Sequence, residues 1–517
     1  MYKLGIDVGG TNTDAVLIDE NLRVTASVKQ HTTKDVYEGI LRAVRAVLKE
    51  SGVEPGEISQ AMLGTTQCTN AIVERKNLAS IGILRIGAPA SRGILPMVDW
   101  AEELQAIAVD TAVIGGGFEY DGKELAPFDR EAARCFFERL KEKHVKSVAI
   151  SCVFSTIRND HEMEAAKLCR EIMGEDVHVS ISSEIGTMGL IERENATILN
   201  AALYHVAESF TNGFARSLEE EGITNADIYL SQNDGTLMTM EYARRYPILT
   251  IACGPTNSIR GASYLSSMRN AIVIDVGGTT TDLGVIQNGF PRESSVAVTI
   301  GGVRTNFRMP DVVSIGLGGG SIVRQREDGT VTVGPDSVGY QITEKALVFG
   351  GDVCTATDIA VRLGMTVLGD TSRVSHLSEE FAGKALEAIR TLIEDAIDAM
   401  KVSSDDVDLV LVGGGSIILP EELSGASSVT KPENGGVANA IGSAISKISG
   451  NYEGLVDYLV TPREEALEKA KEEAVRLAVQ AGAIRETVEI IDMEDTPLQY
   501  YPGNTNRVRV KAAGDLA

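Results

Sequence analysis

Residues Ile6 to Asp14 read Ile-Asp-Val-Gly-Gly-Thr-Asn-Thr-Asp, and the string returns at Ile274 to Asp282 with eight of nine positions identical, 268 residues later. A strand that ends in aspartate and turns through Gly-Gly-Thr offers free backbone N–H groups and hydroxyls to phosphate oxygens. Its carboxylate can hold a divalent cation or that cation's waters. One copy alone reads equally well as an ordinary tight hairpin, whereas duplication with the acid kept at both ends points to phosphate. Gly9, Gly10, Thr11, Asn12 and Thr13 from the first copy, with Gly277, Gly278, Thr279 and Thr280 from the second, are therefore expected around phosphates. Asp7 and Asp275 are expected to flank a magnesium ion, directly or through water, and Asp275 to orient the attacking oxygen. A third element, Asp408 to Ser416, runs from a buried-strand pattern into Gly413, Gly414, Gly415 and Ser416, a turn that can lie flat against adenosine.

The elements that must position these residues follow from the flanks. Each copy ends one apolar run and enters another, Ala15 to Ile18 or Leu283 to Ile286. A turn and a third extended stretch follow in both, which predicts two similar domains facing each other. Helical periodicity marks Val36 to Glu50, Arg130 to Lys143, Asn159 to Met173, Glu192 to Glu221 and Ala382 to Met400, and Ser147 to Phe154 reads as a buried strand. The alternation is that of an α/β protein. The expected organisation is a first domain over 1–185, a helical connector over 186–262, a second domain over 263–450 and a small appended unit over 451–517. In the last, Pro462 to Ala481 reads as a charged helix and Thr487 to Ile491 and Arg507 to Lys511 as short strands.

Composition narrows the partners. With 48 Lys and Arg against 73 Asp and Glu the formal charge is −25, and no basic stripe interrupts the acidity, so nucleic acid and anionic membrane are excluded as expected partners. A bound polyanion still fits if amides and a cation neutralise it. The six cysteines, Cys68, Cys135, Cys152, Cys169, Cys253 and Cys354, form no C-x-x-C pair and are expected as reduced thiols of a cytoplasmic protein. The six histidines lack ligand spacing, and His161, at a helix start, reads as a capping or packing residue.

Two phosphate hairpins and a Gly-rich adenosine turn resemble the actin, sugar kinase and heat-shock chaperone ATPase superfamily. Within it the chain is similar to the hydantoinase A and 5-oxoprolinase family. Gly64 to Ala71, Phe154-Ser155, Ser182 to Glu184, Asn233 to Gly235, Gly254-Pro255 and Ile315 to Ser321 carry that finer likeness. The resemblance implies two ribonuclease-H-like domains with ATP between them. It also implies ATP-dependent hydrolysis of a cyclic amide, a hydantoin or an oxoproline-like lactam, through phosphorylation of its carbonyl oxygen. The expected partners are a small cyclic amide and a B-type subunit, and a homo-oligomer is compatible with the sequence. Thr65, Thr66, Asn70, Asp311, Gly318, Gly319 and Asp358, within or beside these motifs, are candidate substrate contacts. A small-molecule kinase and an ATP-driven activator of a partner protein stand as alternatives. The chain departs from the family pattern at Leu63 and Val313, where histidines are customary, and at Thr256-Asn257-Ser258, where Ala-Gly-Gly is.

Overall fold

A computed structural model describes residues 1–10, 12–32, 36–294, 298–307, 309–498 and 503–516. Both copies of the repeat are antiparallel hairpins in one register. Strands Tyr2–Val8 and Asn12–Ile18 set Asp7 opposite Asp14, and Ala271–Val276 and Thr281–Gln287 set Asp275 opposite Asp282. Each hairpin is extended in the same way. Beside the first strand lies a parallel strand, Ile58–Thr65 or Val407–Val412, and beyond it a second parallel one, Asp227–Ser231 or Ala426–Thr430. The outer antiparallel neighbour is Val24–His31 in the first sheet. In the second sheet the expected third stretch shrinks to Phe290–Pro291, and Val312–Ile315 arrives from further along the chain to fill the edge.

Three expectations about organisation change. The segment 1–185 folds around two sheets, because Ile81–Ala88, Ala108–Gly115, Ser147–Cys152 and His178–Ile181 form a separate parallel sheet. That sheet is covered by helices Arg130–Glu142 and Asp160–Met173 over their own apolar core. The segment 186–262 holds the expected helices, Leu190–Ala202 and Tyr204–Glu220, but also strands Asp227–Ser231 and Leu237–Thr239, which belong to the first sheet. The tail is no separate appendage. Ile448–Asp457, Thr505–Gly514 and Glu489–Pro497 extend the first sheet to nine strands. Helix Arg463–Gln480 lies on them through Leu467, Ala470, Ala474 and Ala478, a face of mostly small residues that lets it approach closely.

Two helices tie the sheets together by crossing over. Helix Cys253–Ser266, which follows strands of the first sheet, packs on the second; helix Ala438–Ile445, which follows strands of the second, packs on the first hairpin. They meet at glycines. A Cβ on Gly261 would stand 1.9 Å from the Ala438 carbonyl oxygen, and one on Gly442 would stand 1.8 Å from that of Asn257.

Candidate active site

Between the two sheets lies a cavity of about 590 Å³, lined by both hairpin turns and by the Gly413 to Gly415 turn. The turns are closed alike, Gly9 N donating to Asn12 O and Gly277 N to Thr280 O, each at 2.9 Å. Gly9, Gly10, Asn12, Gly277, Gly278, Thr279 and Thr280 all face the cavity, while Thr11 lies outside the described residues. Thr13 turns the other way: it is buried, its hydroxyl 3.4 Å from that of Thr32, which donates to Gly9 O. Ser416 does not line the cavity, and Ile417 beside it does.

The two leading acids differ in their surroundings. Asp7 is 3% exposed, and both its oxygens are taken, Oδ1 by Asn257 Nδ2 at 3.1 Å and Oδ2 by Asn439 Nδ2 at 3.0 Å. Burial outweighs the two amide donors and pushes its pKa up to about 6. Asp275 lines the cavity and accepts from Ser258 Oγ through Oδ2 alone; burial raises its pKa as well. Each carboxylate is backed by a glycine at or just beyond the end of the adjacent parallel strand. A Cβ on Gly64 would come within 2.2 Å of Asp7 Oδ1, and one on Gly413, whose φ is +83°, within 2.2 Å of Asp275 Oδ1. These positions exclude any other residue without displacing the acid.

Asp14 also lines the cavity, with Lys29 Nζ 2.7 Å away, yet burial still raises its pKa. Asp282, held by Ser314 Oγ, is pushed up to about 6 by burial. Asp14 and Asp275, both lining the cavity with raised pKa values, share the charge of Lys29, and the pair gains from a further cation. Buried Asn257 Oδ1 has no hydrogen-bond partner among the described residues. The donor set is all oxygen, and no three His, Cys, Asp or Glu side chains converge among the described residues. This suits magnesium, which keeps several of its waters and takes one or two carboxylates.

The remaining expected residues are dispersed. Gly318 and Gly319 pack against the second hairpin turn: Gly318 lies against the Gly278–Thr279 peptide, Gly319 N donates to Gly277 O at 3.0 Å and Gly320 N to Gly278 O at 2.8 Å, and Gly319 alone of the two lines the cavity. Thr65, Thr66 and Asn70 pack under the first turn, where Thr66 Oγ1 donates to Val8 O and Asn70 Nδ2 to Thr66 Oγ1, and none lines the cavity. Asp358 does not line the cavity: it is fully buried and accepts from Val348 N, Thr355 N and Thr355 Oγ1, closing a helix capping box. Asp311 pairs at 2.6 Å with Arg292, away from the cavity lining. Cys68 is buried, and burial pushes its thiol up to about 12, which removes it as a nucleophile at neutral pH. Sequence reasoning passed over Asp14, Lys29, Asn257, Ser258 and Asn439. Asp14 had a signal as the closing acid of the repeat, and Asn257 and Ser258 had one only as a departure from the customary Ala-Gly-Gly.

The architecture matches solved structures. The ATP-dependent caprolactamase of Pseudomonas jessenii superposes with a TM-score of 0.81 over all of this chain and 88% of that one, at 20% identity. Nucleotide-free acetone carboxylase gives 0.69 over 99% of this chain and 88% of that one, at 16%. Residues 3–173 match the hydantoinase/oxoprolinase N-terminal region and 193–367 match hydantoinase/oxoprolinase, and the chain belongs to the hydantoinase/oxoprolinase family. An uncharacterized protein of Methanocaldococcus jannaschii is 25% identical over the whole chain and 82% of its own length. The caprolactamase subunit alpha of Pseudomonas jessenii is 26% identical over 77% of this chain, and 5-oxoprolinase 1 of Arabidopsis thaliana 26% over 70%. The matched stretch spans 59% of the first of these two proteins and 31% of the second. Among the described residues no helix is long and apolar enough to cross a membrane.

Proposed function

We propose that the chain is the ATP-handling component of an enzyme that opens a cyclic amide, with the two hairpins serving as the phosphate loops of paired actin-like domains. The observation that carries this reading is the convergence of both Gly-Gly turns and the cavity-facing Asp275 on one cleft. Bound there with magnesium, ATP supplies the phosphoryl group that converts an unreactive amide oxygen into a leaving group. The turn amides of Gly9, Gly10, Gly277 and Gly278 would neutralise phosphate charge, and Gly413 to Gly415 would border the nucleoside. Asp7, locked by two amides, would hold cation-bound water, while Asp275, with one oxygen unclaimed by any hydrogen bond among the described residues, would orient the attacking oxygen. Positioning and charge neutralisation account for most of such catalysis.

The relatives named as subunits of caprolactamase and of acetone carboxylase support a second, B-type component. We expect the single chain to be nearly inactive on lactams. The test is phosphate release over a panel of lactams and hydantoins, with and without a co-purified partner. Substrate-stimulated release that requires the partner supports the reading. Absence of magnesium-dependent ATP or ADP binding by calorimetry would sink it, and robust ring opening by the chain alone would remove the partner.

A further inference from the structure

We propose that Asn257 and Ser258 are positioning residues that fix the separation of Asp7 and Asp275, the acids of opposite lobes. The inference rests on the reading that the cleft takes a magnesium nucleotide. The two residues are neighbours on helix Cys253–Ser266, with Cα atoms ~3.8 Å apart. Adjacent helical side chains diverge by about 100°, so one helix addresses both sheets at once. Asn257 donates to Asp7 and Ser258 to Asp275.

Four observations make the arrangement more than a pair of local bonds. Asn257 and Ser258 are 0% and 1% exposed, so neither donor is drawn away from its carboxylate by bulk water. Each acid is stopped by a glycine, Gly64 or Gly413, and therefore sits between a donor and a wall. The helix cannot drift, because the Asn257 carbonyl presses on Gly442 of the crossing helix. Finally, Asn257 must present its nitrogen to Asp7, since a carboxylate accepts only, and this leaves Oδ1 buried and unpartnered. A side chain whose donor serves one acid and whose acceptor lacks a donor is placed to take one from a cation's water. Ser258 has the complementary task of holding one oxygen of Asp275 while the carboxylate faces the cavity.

The test uses the full chain with Mn²⁺ and ADP as probes, metal binding being read by electron paramagnetic resonance and nucleotide binding by calorimetry, alongside ATP turnover and thermal melting. Partners that orient metal ligands typically change metal affinity or activity by about 10–100-fold when removed. For Ser258→Ala we expect kcat to fall about tenfold or more with KM for ATP within about threefold, and Ser258→Thr, which keeps the hydroxyl, to recover most of it. For Asn257→Ala we expect the Mn²⁺ concentration that half-saturates the ADP complex to rise about tenfold, with ADP affinity in excess metal little changed. Mn²⁺ binding needs no turnover, so the test stands even where basal hydrolysis is slow. Wild-type metal affinity in both alanine variants overturns the proposal, and so does a loss that follows the unfolded fraction or falls equally on ADP binding. A wild-type chain that binds no nucleotide instead overturns the functional reading on which it rests.

Discussion

Replacing Asp7 by asparagine should make the protein more stable while removing its activity, and the size of the gain can be worked from the site. Burial raises the Asp7 pKa from 3.8 to about 6 in the folded chain. A carboxyl raised in this way binds more protons folded than unfolded between those values. Its ionisation is therefore a penalty on the fold, fully present above about pH 6 and gone below about pH 3.8. At ~1.4 kcal/mol per pH unit the interval amounts to about 3 kcal/mol. The amide at position 7 keeps one oxygen for Asn439. Its new N–H groups need an acceptor, which Asn257 provides by turning its amide over, since Oδ1 has no partner to lose. The turned Asn257 nitrogen is then orphaned, at a cost of about 1 kcal/mol. The net expectation for Asp7→Asn is a gain of about 2 kcal/mol at pH 8, shrinking to about zero near pH 4.5. Urea denaturation followed by circular dichroism, with chelator and without nucleotide, measures it at both pH values. A variant no more stable than wild type at pH 8, or one whose advantage does not shrink in acid, refutes the argument.

Three further outcomes follow from the same geometry. Asp275→Asn should cut turnover about a hundredfold or more with nucleotide affinity nearly intact, measured by steady-state kinetics and calorimetry; equal turnover would take Asp275 out of the mechanism. Gly413→Ala puts a Cβ against Asp275 Oδ1 at a φ of +83°, and should lower stability by about 1–3 kcal/mol while reducing turnover at least as far as Asp275→Asn does. Asp358→Ala removes the acceptor for three buried donors and should destabilise the second domain by about 2–4 kcal/mol. Near-normal kinetics in the folded fraction at low temperature would separate this structural role from substrate contact.

The hairpins were legible because a repeat of nine residues states the strand, the turn and the acid locally, and the register Asp7–Asp14 and Asp275–Asp282 follows from a short turn. The capping role of Asp358 had a local signal, since Thr355 three residues earlier makes a capping box, but the motif beside it drew attention instead. Asp311 has an arginine 19 residues away to pair with, which sequence proximity to a glycine-rich loop could not reveal. Asn257 and Asn439 were not legible. They reach Asp7 across 250 and 432 residues, and nothing in a helical asparagine marks the strand it will face. The tail was read as separate for a similar reason, because edge pairing of Ile448–Asp457 with Leu237–Thr239 leaves no local trace.

The crossed helices also set a timetable for synthesis. Val16 and Ile18, on one face of the first hairpin, are buried in a cluster with Val437, Ala440, Ile441 and Ala444. That cover leaves the ribosome more than 400 residues after the hairpin, a delay of roughly 20–80 s at ordinary elongation rates. During that interval a finished β-hairpin carries a bare apolar face, and the first sheet also lacks the three strands that the last seventy residues add to its edge. Stop codons placed before Ala438 should yield insoluble product, not a soluble half-enzyme, because residues 438–514 supply the helix that covers the first hairpin and the three strands that extend its sheet.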